Sequence, residues 1–195
     1  MPLKLNIVIG STRPGRAGPV IARWLHETAL QHGRFAVDLV DLADFDLPLL
    51  DEPAHPALRR YANEPTKRWS ASVASADAFV FVTPEYDYFA PAALVNAVQM
   101  LMHEWGYKPA GVMSYGGVSG GLRATQVLRQ LLGNVNVHAL PQTVPVPFFL
   151  QMISDGAFRP TEQVQAGAKV MLDELDRWAT ALSTLRDAQK AAFAA

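Results

Sequence analysis

Short apolar runs alternate along the chain with longer segments in which apolar residues recur at helical spacing. The runs predict five strands, at 5–10, 35–42, 78–83, 110–115 and 135–140. Helical periodicity predicts helices at 19–33, 69–76, 91–103 and 122–132, and a last helix that begins at Thr161. Strands that alternate with helices are typical of a parallel sheet covered on both faces. The pattern therefore predicts a doubly wound α/β fold.

The order of these elements also predicts where a ligand would bind. Right-handed crossovers allow five parallel strands to adopt the order 2-1-3-4-5, within one domain that spans residues 1–195. In that order, ligands bind at the carboxyl ends of strands one and three, where the strand order reverses. The loops after Ile9, Val82 and Ser114 are therefore the expected site.

Three segments depart from this simple alternation. Residues 44–67 contain four prolines and predict a long connection with little regular structure. The helix predicted at 91–103 is apolar on nearly every side, so one face is expected to pack on the sheet and another on a second subunit. The alanine-rich residues after Gln189 have little to bury and are expected to fray.

Composition narrows the functional classes. The 195 residues include 17 basic and 18 acidic side chains, a balance that argues against nucleic acid as a partner. The absence of cysteine excludes disulfides, thiol nucleophiles and thiolate metal sites. The apolar run that ends at Gly10 is too short for a secretory or membrane-spanning segment. A cytoplasmic protein that does not associate with membranes is expected.

The loop after the first strand has the composition of an anion site. Residues 10–18 combine two hydroxyl side chains, the two arginines Arg13 and Arg16, and the free N–H groups of a helix start. A phosphate monoester is the expected ligand, because the glycine spacing matches neither the P-loop nor the G-x-G-x-x-G dinucleotide motif. Two alternatives stay open. Asp41 is placed like the ribose-binding carboxylate of a dinucleotide site, or the hydroxyls simply cap the helix.

The two later loops suit a flat ligand. Tyr86, Tyr88 and Phe89 follow the third strand and offer ring faces to a planar apolar molecule, although a core or subunit contact would also explain them. Residues 114–121 contain four glycines, which allow the backbone to approach such a ligand closely or to form a plain turn. Both loops lie at the edge of the sheet where the phosphate turn is expected.

Two rival kinds of site are weaker. The segment 117–121 matches the G-x-S-x-G motif of hydrolases, but only His138 follows Ser119 and no acidic residue lies between them, so the triad order is not met. The five histidines form no H-E-x-x-H pair. The acidic residues within 44–52 suit a solvated loop better than a cation site. Hydrolase and metal chemistry are therefore disfavoured.

Taken together, the motifs resemble the flavodoxin-like NAD(P)H-dependent FMN reductases, a family that includes quinone, azo-dye and chromate reductases. The resemblance spans essentially the whole chain. Its landmarks are Gly10-Ser11-Thr12-Arg13, Thr83-Pro84-Glu85-Tyr86, Pro91, Asn96-Ala97, His103-Glu104-Trp105, Lys108-Pro109-Ala110, and Ser114-Tyr115-Gly116-Gly117 followed by Gly120-Gly121. It implies a flavodoxin-like fold and an enzyme that passes electrons from NADPH or NADH, through bound FMN, to quinone-like, azo or other small acceptors.

The resemblance also implies a set of site residues. The FMN phosphate would bind at Ser11, Arg13, Arg16 and Gly18. The isoalloxazine would lie against two loops, whose residues are Pro84, Glu85, Tyr86, Asp87 and Tyr88 in one, and Ser114, Gly116 and Gly117 in the other. No side chain is expected to be catalytic, because the flavin carries the chemistry.

One position departs from the family, which usually has Asn where this chain has Asp87. If its carboxylate faces the ring, like-charge repulsion would disfavour an anionic reduced flavin; if it turns away, it would cap the following turn or pair with an arginine.

The resemblance further implies a homodimer or homotetramer, formed through the helix after Pro91, with Trp105 near a neighbour's flavin. A non-catalytic FMN carrier or regulatory module is the alternative function, since a fold alone does not establish activity. The near-neutral charge, the long loop after the second strand and the segment 145–149, which can cover a substrate site, favour the enzyme.

Overall fold

The computed structural model describes residues 2–194 and confirms the predicted parallel sheet. Its central strands are β1 (Leu3–Ile9), β2 (Phe35–Asp41), β3 (Ala78–Pro84), β4 (Lys108–Gly116) and β5 (Val137–Ala139). They pair in parallel in the order β2-β1-β3-β4-β5. This is the flavodoxin-like order, in which the strand order reverses between β1 and β3.

The sheet has a sixth strand that the prediction missed, β6 (Val144–Pro147). β5 pairs only with the first residues of β4, whereas β6 pairs in parallel with its last residues, from Met113 to Gly116. The two short strands thus share the edge position beside β4. The prolines at 145 and 147 hid this strand, because proline is disfavoured within sheets and tolerated mainly at their edges.

Helices cover both faces of the sheet and enclose one apolar core on each side. The first core lies beneath α1 (Gly18–His32) and α5 (Glu162–Ala181). The second lies beneath α2 (Glu64–Ser75), α3 (Ala92–Gln99) and α4 (Leu122–Asn134). Strand β3 is buried along its whole length, which explains its continuous apolar sequence. None of the helices within 2–194 has the length and apolar character needed to cross a membrane.

Local sequence explains where the helices of the first face begin and end. Pro19 lies in the first turn of α1, and Gly33 ends the helix with a φ of 76°, as the sequence predicted. Thr161 begins α5, since its Oγ1 accepts a hydrogen bond of 3.4 Å from the N–H of Val164. A small antiparallel hairpin of β7 (Ile153–Ser154) and β8 (Ala157–Phe158) precedes α5.

The helix predicted at 91–103 is shorter, and its large apolar side chains are covered by its own chain. α3 ends at Gln99, and Asn96 joins it to the long connection. The Asn96 Oδ1 accepts from Leu50 N at 2.9 Å, and its Nδ2 donates to the Pro48 carbonyl at 2.8 Å. The long connection therefore covers much of the side of α3 where a second subunit was expected, and a subunit contact through this helix stays a prediction.

Trp105 was expected near a neighbour's flavin but lies in the protein's own core. Its side chain is 0% exposed, and its Nε1 donates to the Val98 carbonyl at 3.1 Å. Its ring packs on those of Trp69, Phe79 and Phe81, with centroids 5.8, 5.0 and 6.0 Å away. A residue enclosed in this way is out of reach of a partner subunit, so that expectation was wrong.

The carboxyl-terminal segment is helical rather than frayed. α6 (Ser183–Ala194) follows α5 after a break at Leu182. Phe193 contacts His103, with ring centroids 4.9 Å apart, and the Arg59 guanidinium lies 4.9 Å from its ring centroid. The alanine-rich tail was expected to fray because the sequence showed no partner for it; the loop before β4 and the long connection provide one.

Candidate functional site

A cleft opens at the carboxyl edge of the sheet, where the strand order predicted it. The turn after β1, the loop after β3 and the glycine-rich loop after β4 form its walls, and Phe149 and Leu150 close one side. The predicted site residues that line it are Arg13, Arg16, Pro84, Glu85, Tyr86, Gly116 and Gly117. The fold thus brings together three loops that are distant in the sequence, as expected for a switch point.

The turn after β1 presents positive charge and free donors to the cleft. The Arg13 side chain is exposed, and in the described part of the chain it forms no ion pair. The backbone N–H groups of Thr12 and Gly15 likewise donate no hydrogen bond within residues 2–194. No side chain caps the start of α1. A helix N-terminus with free N–H groups attracts anions, so this turn suits a phosphate.

Ser11 and Gly18 stabilise this turn from its buried side. The Ser11 side chain is buried, shares a hydrogen bond of 2.9 Å with the Tyr86 hydroxyl and accepts one of 3.4 Å from Arg13 N. A side chain at Gly18 would collide with its surroundings, because its Cβ would lie 3.0 Å from Ile9 Cγ2 and 3.1 Å from the Tyr115 hydroxyl. Both residues shape the turn, and their direct contact with a phosphate stays a prediction.

Arg16 is anchored by Asp41 at the end of β2. The Arg16 Nη2 donates to Asp41 Oδ2, while Asp41 Oδ1 accepts from Ala43 N at 3.0 Å. The carboxylate that a dinucleotide site would offer to a ribose is therefore already paired, which disfavours that alternative. The Arg16 Nε is buried and has no hydrogen-bond partner among the described residues, so a donor remains for a ligand.

Tyr115, near the end of β4, was not assigned a role from the sequence. Its ring packs edge-on against Phe149 at a centroid distance of 5.1 Å. Its hydroxyl is buried beside Gly18, whose N–H approaches it without reaching hydrogen-bond geometry, and no other described residue bonds to it. Burial is the main cause that raises the pKa of Tyr115, so the hydroxyl stays neutral and can donate. Its position at a strand end beside the phosphate turn was the available signal.

The loop after β3 forms a two-residue hairpin turn. Tyr86 and Phe89 exchange two backbone hydrogen bonds of 2.9 Å, and the φ angles of Asp87 and Tyr88 between them are 47° and 75°. Two successive positive φ angles are typical of a type I′ turn, where Asn, Asp and Gly are favoured. Asp87 therefore suits its backbone conformation as Asn would, and its side chain is exposed.

The aromatic side chains of this loop do not belong to the core. Tyr88 is 61% exposed, with the Arg123 guanidinium over its ring at 4.2 Å from the centroid, and Phe89 is 58% exposed. Tyr86 is partly buried and lines the cleft. The core interpretation of Tyr88 and Phe89 was therefore wrong, and both present surface that a ligand or a second chain can cover.

Glu85 lines the cleft, but its carboxylate points to the start of α4. Its Oε1 accepts from Ser119 Oγ and Arg123 Nη1, each at 2.9 Å, and its Oε2 accepts from the N–H groups of Arg123 at 3.0 Å and Ala124 at 3.4 Å. Burial raises the pKa of Glu85, but these hydrogen bonds outweigh it and hold the pKa below its usual range. The ionised carboxylate thus caps α4 and joins the two loops.

The glycine-rich loop divides into a supporting part and an open part. Ser114 is 0% exposed and its Oγ donates to the Gly120 carbonyl at 2.8 Å, so this hydroxyl stabilises the loop instead of facing the cleft. Gly116 and Gly117 line the cleft, and a Cβ at Gly117 would meet no atom within 4 Å. The backbone at Gly117 is therefore accessible to a flat ligand.

The hydrolase motif has no catalytic partners. The Ser119 hydroxyl bonds to Glu85, whereas His138 lies in β5 beside Pro109, at the opposite end of β4 from Ser119. The His138 ring packs on Trp178 with centroids 3.8 Å apart. The described residues also contain no cluster of three His, Cys, Asp or Glu side chains that could hold a metal ion.

Comparisons with known proteins point to one family. A family model described as NADPH-dependent FMN reductase matches residues 3–151. An NAD(P)H-dependent FMN reductase of Schizosaccharomyces pombe is 38% identical over 167 residues, which cover 83% of this chain and 83% of that protein. A quinone reductase of Pseudomonas putida is 33% identical over 132 residues, or 65% of this chain and 67% of that protein.

A solved structure shares the fold. FerB, a flavoenzyme NAD(P)H:(acceptor) oxidoreductase from Paracoccus denitrificans, superimposes with a TM-score of 0.73 over 91% of this chain and 97% of that one, at 21% sequence identity. At this identity the similarity establishes the architecture, and residue roles have to be argued from the chain itself.

Proposed function

Because the chain belongs to the NADPH-dependent FMN reductase family, we propose that the cleft between its three loops binds FMN. The protein is an FMN-dependent oxidoreductase that takes electrons from NAD(P)H. The observation that carries the assignment of the cleft is the uncapped, positively charged turn after β1, which meets an aromatic loop and a glycine-rich loop at one edge of the sheet.

The unpaired polar groups of the cleft fit the phosphate of FMN. The Arg13 guanidinium, the N–H groups of Thr12 and Gly15, the Arg16 Nε and the Tyr115 hydroxyl are donors without acceptors in the described part of the chain. Thr12, Arg13 and Gly15 are exposed to solvent, whereas the Arg16 Nε and the Tyr115 hydroxyl are buried, and each buried donor left unpaired costs about 1–3 kcal/mol. A phosphate dianion supplies several acceptor oxygens and a compensating charge, so its binding would remove these costs.

The remaining walls fit the flavin ring. Backbone groups of the loop after β3 and of Gly116 and Gly117 would meet the polar edge of the isoalloxazine, with Tyr86 beside it. Bound FMN supplies the redox chemistry, taking a hydride from the reduced nicotinamide and passing electrons to the acceptor. The protein's part is to hold and orient the ring, and no side chain is assigned an acid or base role.

We propose quinone-like molecules as the acceptors. The exposed rim of the cleft is apolar and aromatic, with Tyr88 61% and Leu150 72% exposed, and such a rim suits a planar apolar molecule. The similarity to a quinone reductase supports the same class. Nicotinamide and acceptor would use this open side in turn, which predicts ping-pong kinetics.

We also propose a cytoplasmic homodimer, with the second copy covering the rim. Several large apolar side chains of the loops around the cleft are exposed, including Phe89, Phe148 and Leu150 at 58, 51 and 72% exposure. Surface of this kind is typical of protein interfaces. Light scattering at micromolar concentration measures the assembly, and a particle of 21.3 kDa would contradict it.

The function is tested by identifying the cofactor and its reductant. We expect heat to release FMN and not FAD, because the chain offers one phosphate turn and no pyrophosphate motif. Anaerobic addition of NADPH or NADH should bleach the flavin absorbance, and a quinone should restore it. Recovery of FAD, or a flavin that neither nucleotide reduces, would contradict the proposal.

Arg13→Ala tests the phosphate turn. A charge-assisted hydrogen bond to phosphate is worth about 1.5–3 kcal/mol, so the variant should bind FMN roughly tenfold to hundredfold more weakly. Riboflavin, which lacks the phosphate, should bind as it does to the unmodified protein. Fluorescence titration of the apoprotein measures both dissociation constants.

Arg23→Ala is the matched control, since Arg23 is exposed on α1 and does not line the cleft. It should leave the affinities for FMN and riboflavin unchanged. Equal losses for FMN and riboflavin in Arg13→Ala would show instead that Arg13 supports the fold of the turn.

A further inference from the structure

One carboxylate connects the two loops that flank the proposed ring site. Glu85 belongs to the loop after β3, and its Oε1 holds Ser119 in the glycine-rich loop at 2.9 Å. The same oxygen accepts from Arg123 Nη1 on α4 at 2.9 Å. The Glu85 carboxylate is largely buried, with only 9% of the side chain exposed. We call Glu85, Ser119 and Arg123 the brace.

The brace also contacts Tyr88, in the two-residue turn of the loop after β3. The Arg123 guanidinium, fixed by Glu85, lies over the Tyr88 ring at 4.2 Å from its centroid. Tyr88 has a φ of 75°, a conformation that is unfavourable for a bulky side chain and persists only when its surroundings hold it. The two backbone hydrogen bonds between Tyr86 and Phe89 hold the turn, and the stack on Arg123 positions the Tyr88 ring on its surface.

The remaining oxygen of Glu85 fastens the brace to a rigid element. Its Oε2 accepts from the N–H groups of Arg123 and Ala124 in the first turn of α4. Those groups have no partner within the helix, and the positive end of the helix dipole favours a negative charge there. The loop after β3 is therefore held against α4, and α4 begins directly after the glycine-rich loop.

We propose that Glu85 is a positioning residue for the flavin: its carboxylate fixes the spacing between the two loops on either side of the isoalloxazine, and Arg123 extends this to Tyr88. The inference rests on the proposed binding of FMN in this cleft. It assigns part of the affinity for the isoalloxazine to residues whose side chains do not contact the ring. None of the hydrogen bonds to the Glu85 carboxylate involves the phosphate turn, which meets the loop after β3 through the hydrogen bond between Ser11 and Tyr86 instead.

An ionised carboxylate is required for this arrangement. All four hydrogen bonds to Glu85 use it as an acceptor, two at each oxygen. Glutamine has nearly the same shape but offers one acceptor oxygen and an NH2 group that can only donate. In Glu85→Gln the NH2 would face two donors, so one side of the brace must open.

The test compares ring binding with phosphate binding. Glu85→Gln should weaken FMN and riboflavin binding alike, by about tenfold, because both ligands contain the isoalloxazine. Arg13→Ala, by contrast, should weaken FMN alone. The visible circular dichroism of the bound flavin should also change in Glu85→Gln, since it depends on how the ring is held. Arg123→Ala keeps the backbone bonds to Glu85 but removes the stack on Tyr88, and it should weaken both ligands by a smaller factor.

The controls separate positioning from stability. Arg129→Ala, on the same helix and outside the cleft, should leave both affinities and the dichroism unchanged. If Glu85→Gln lowers the melting temperature but leaves both dissociation constants and the dichroism unchanged, Glu85 merely caps α4 and the inference is overturned. If Glu85→Gln does not fold, unchanged affinities in Arg123→Ala overturn it. An unmodified protein that binds neither ligand would instead refute the proposed function.

Discussion

Trp105→Ala is expected to lower the free energy of unfolding by about 3–5 kcal/mol, the usual range for removing a buried tryptophan. The side chain is 0% exposed and packs on three aromatic rings, so truncation would leave a large cavity in the core between the sheet, α2 and α3. It would also remove the hydrogen bond from Trp105 Nε1 to the Val98 carbonyl. Against a total stability of about 5–15 kcal/mol, this is a large fraction.

Urea denaturation of matched variants measures the effect. Trp178→Ala is the control, because Trp178 is 37% exposed on α5 and should cost clearly less. The folded fraction of Trp105→Ala should bind FMN with an unchanged visible spectrum, since Trp105 does not line the cleft. A small stability loss together with an altered flavin spectrum would support a site shared between subunits and contradict the buried position.

The error about Trp105 shows what a hydrophobic pattern can and cannot predict. The pattern correctly predicted that the segment after Pro91 is buried on two sides. It could not say what covers the second side, because the covering segment, 44–63, has no periodicity and contains three prolines. The decisive contacts, from Asn96 to Pro48 and Leu50, join residues far apart in the sequence through backbone groups that every residue has.

The sheet, by contrast, could be predicted because its strands have a clear hydrophobic pattern. Strands β1, β3 and β4 are largely buried on both faces, so their apolar runs are nearly continuous, and glycine or proline marks the ends of several strands. β6 was missed because its residues alternate between buried and partly buried positions, and because prolines are more typical of a loop than of a strand. The handedness of the crossovers, which depends on chain chirality and not on particular residues, allowed the order 2-1-3-4-5 but did not select it over other doubly wound orders.

For the site, the sequence predicted which loops meet but not how their side chains are used. Glu85 and Ser114 lie in the expected loops, yet the carboxylate caps α4 and the hydroxyl supports a turn. The pairing of Arg16 with Asp41 and the unpaired hydroxyl of Tyr115 depend on distances between separate strands. Such contacts are tertiary, and residue type alone cannot distinguish them from contacts with a ligand.

Gly121→Ala should be the most damaging single change in the glycine-rich loop. Gly121 has a φ of 83°, which costs other residues roughly 1–2 kcal/mol. Its new Cβ would also lie 2.7 Å from Ser114 Cβ and 2.9 Å from Tyr115 N, distances at which the backbone of β4 must shift. Such overpacking adds about 1–3 kcal/mol. The combined loss of about 2–5 kcal/mol should appear as a lower urea midpoint.

Gly117→Ala, four residues earlier in the same loop, should weaken flavin binding and leave stability nearly unchanged. Its φ is not positive and its Cβ would meet no atom within 4 Å, so stability should change by no more than about 0.5 kcal/mol. Because Gly117 lines the cleft, the added methyl group would occupy space next to the flavin ring, and FMN and riboflavin should both bind more weakly. If Gly117→Ala binds both flavins normally, or Gly121→Ala is as stable as the unmodified protein, the division of this loop into an open and a supporting part is incorrect.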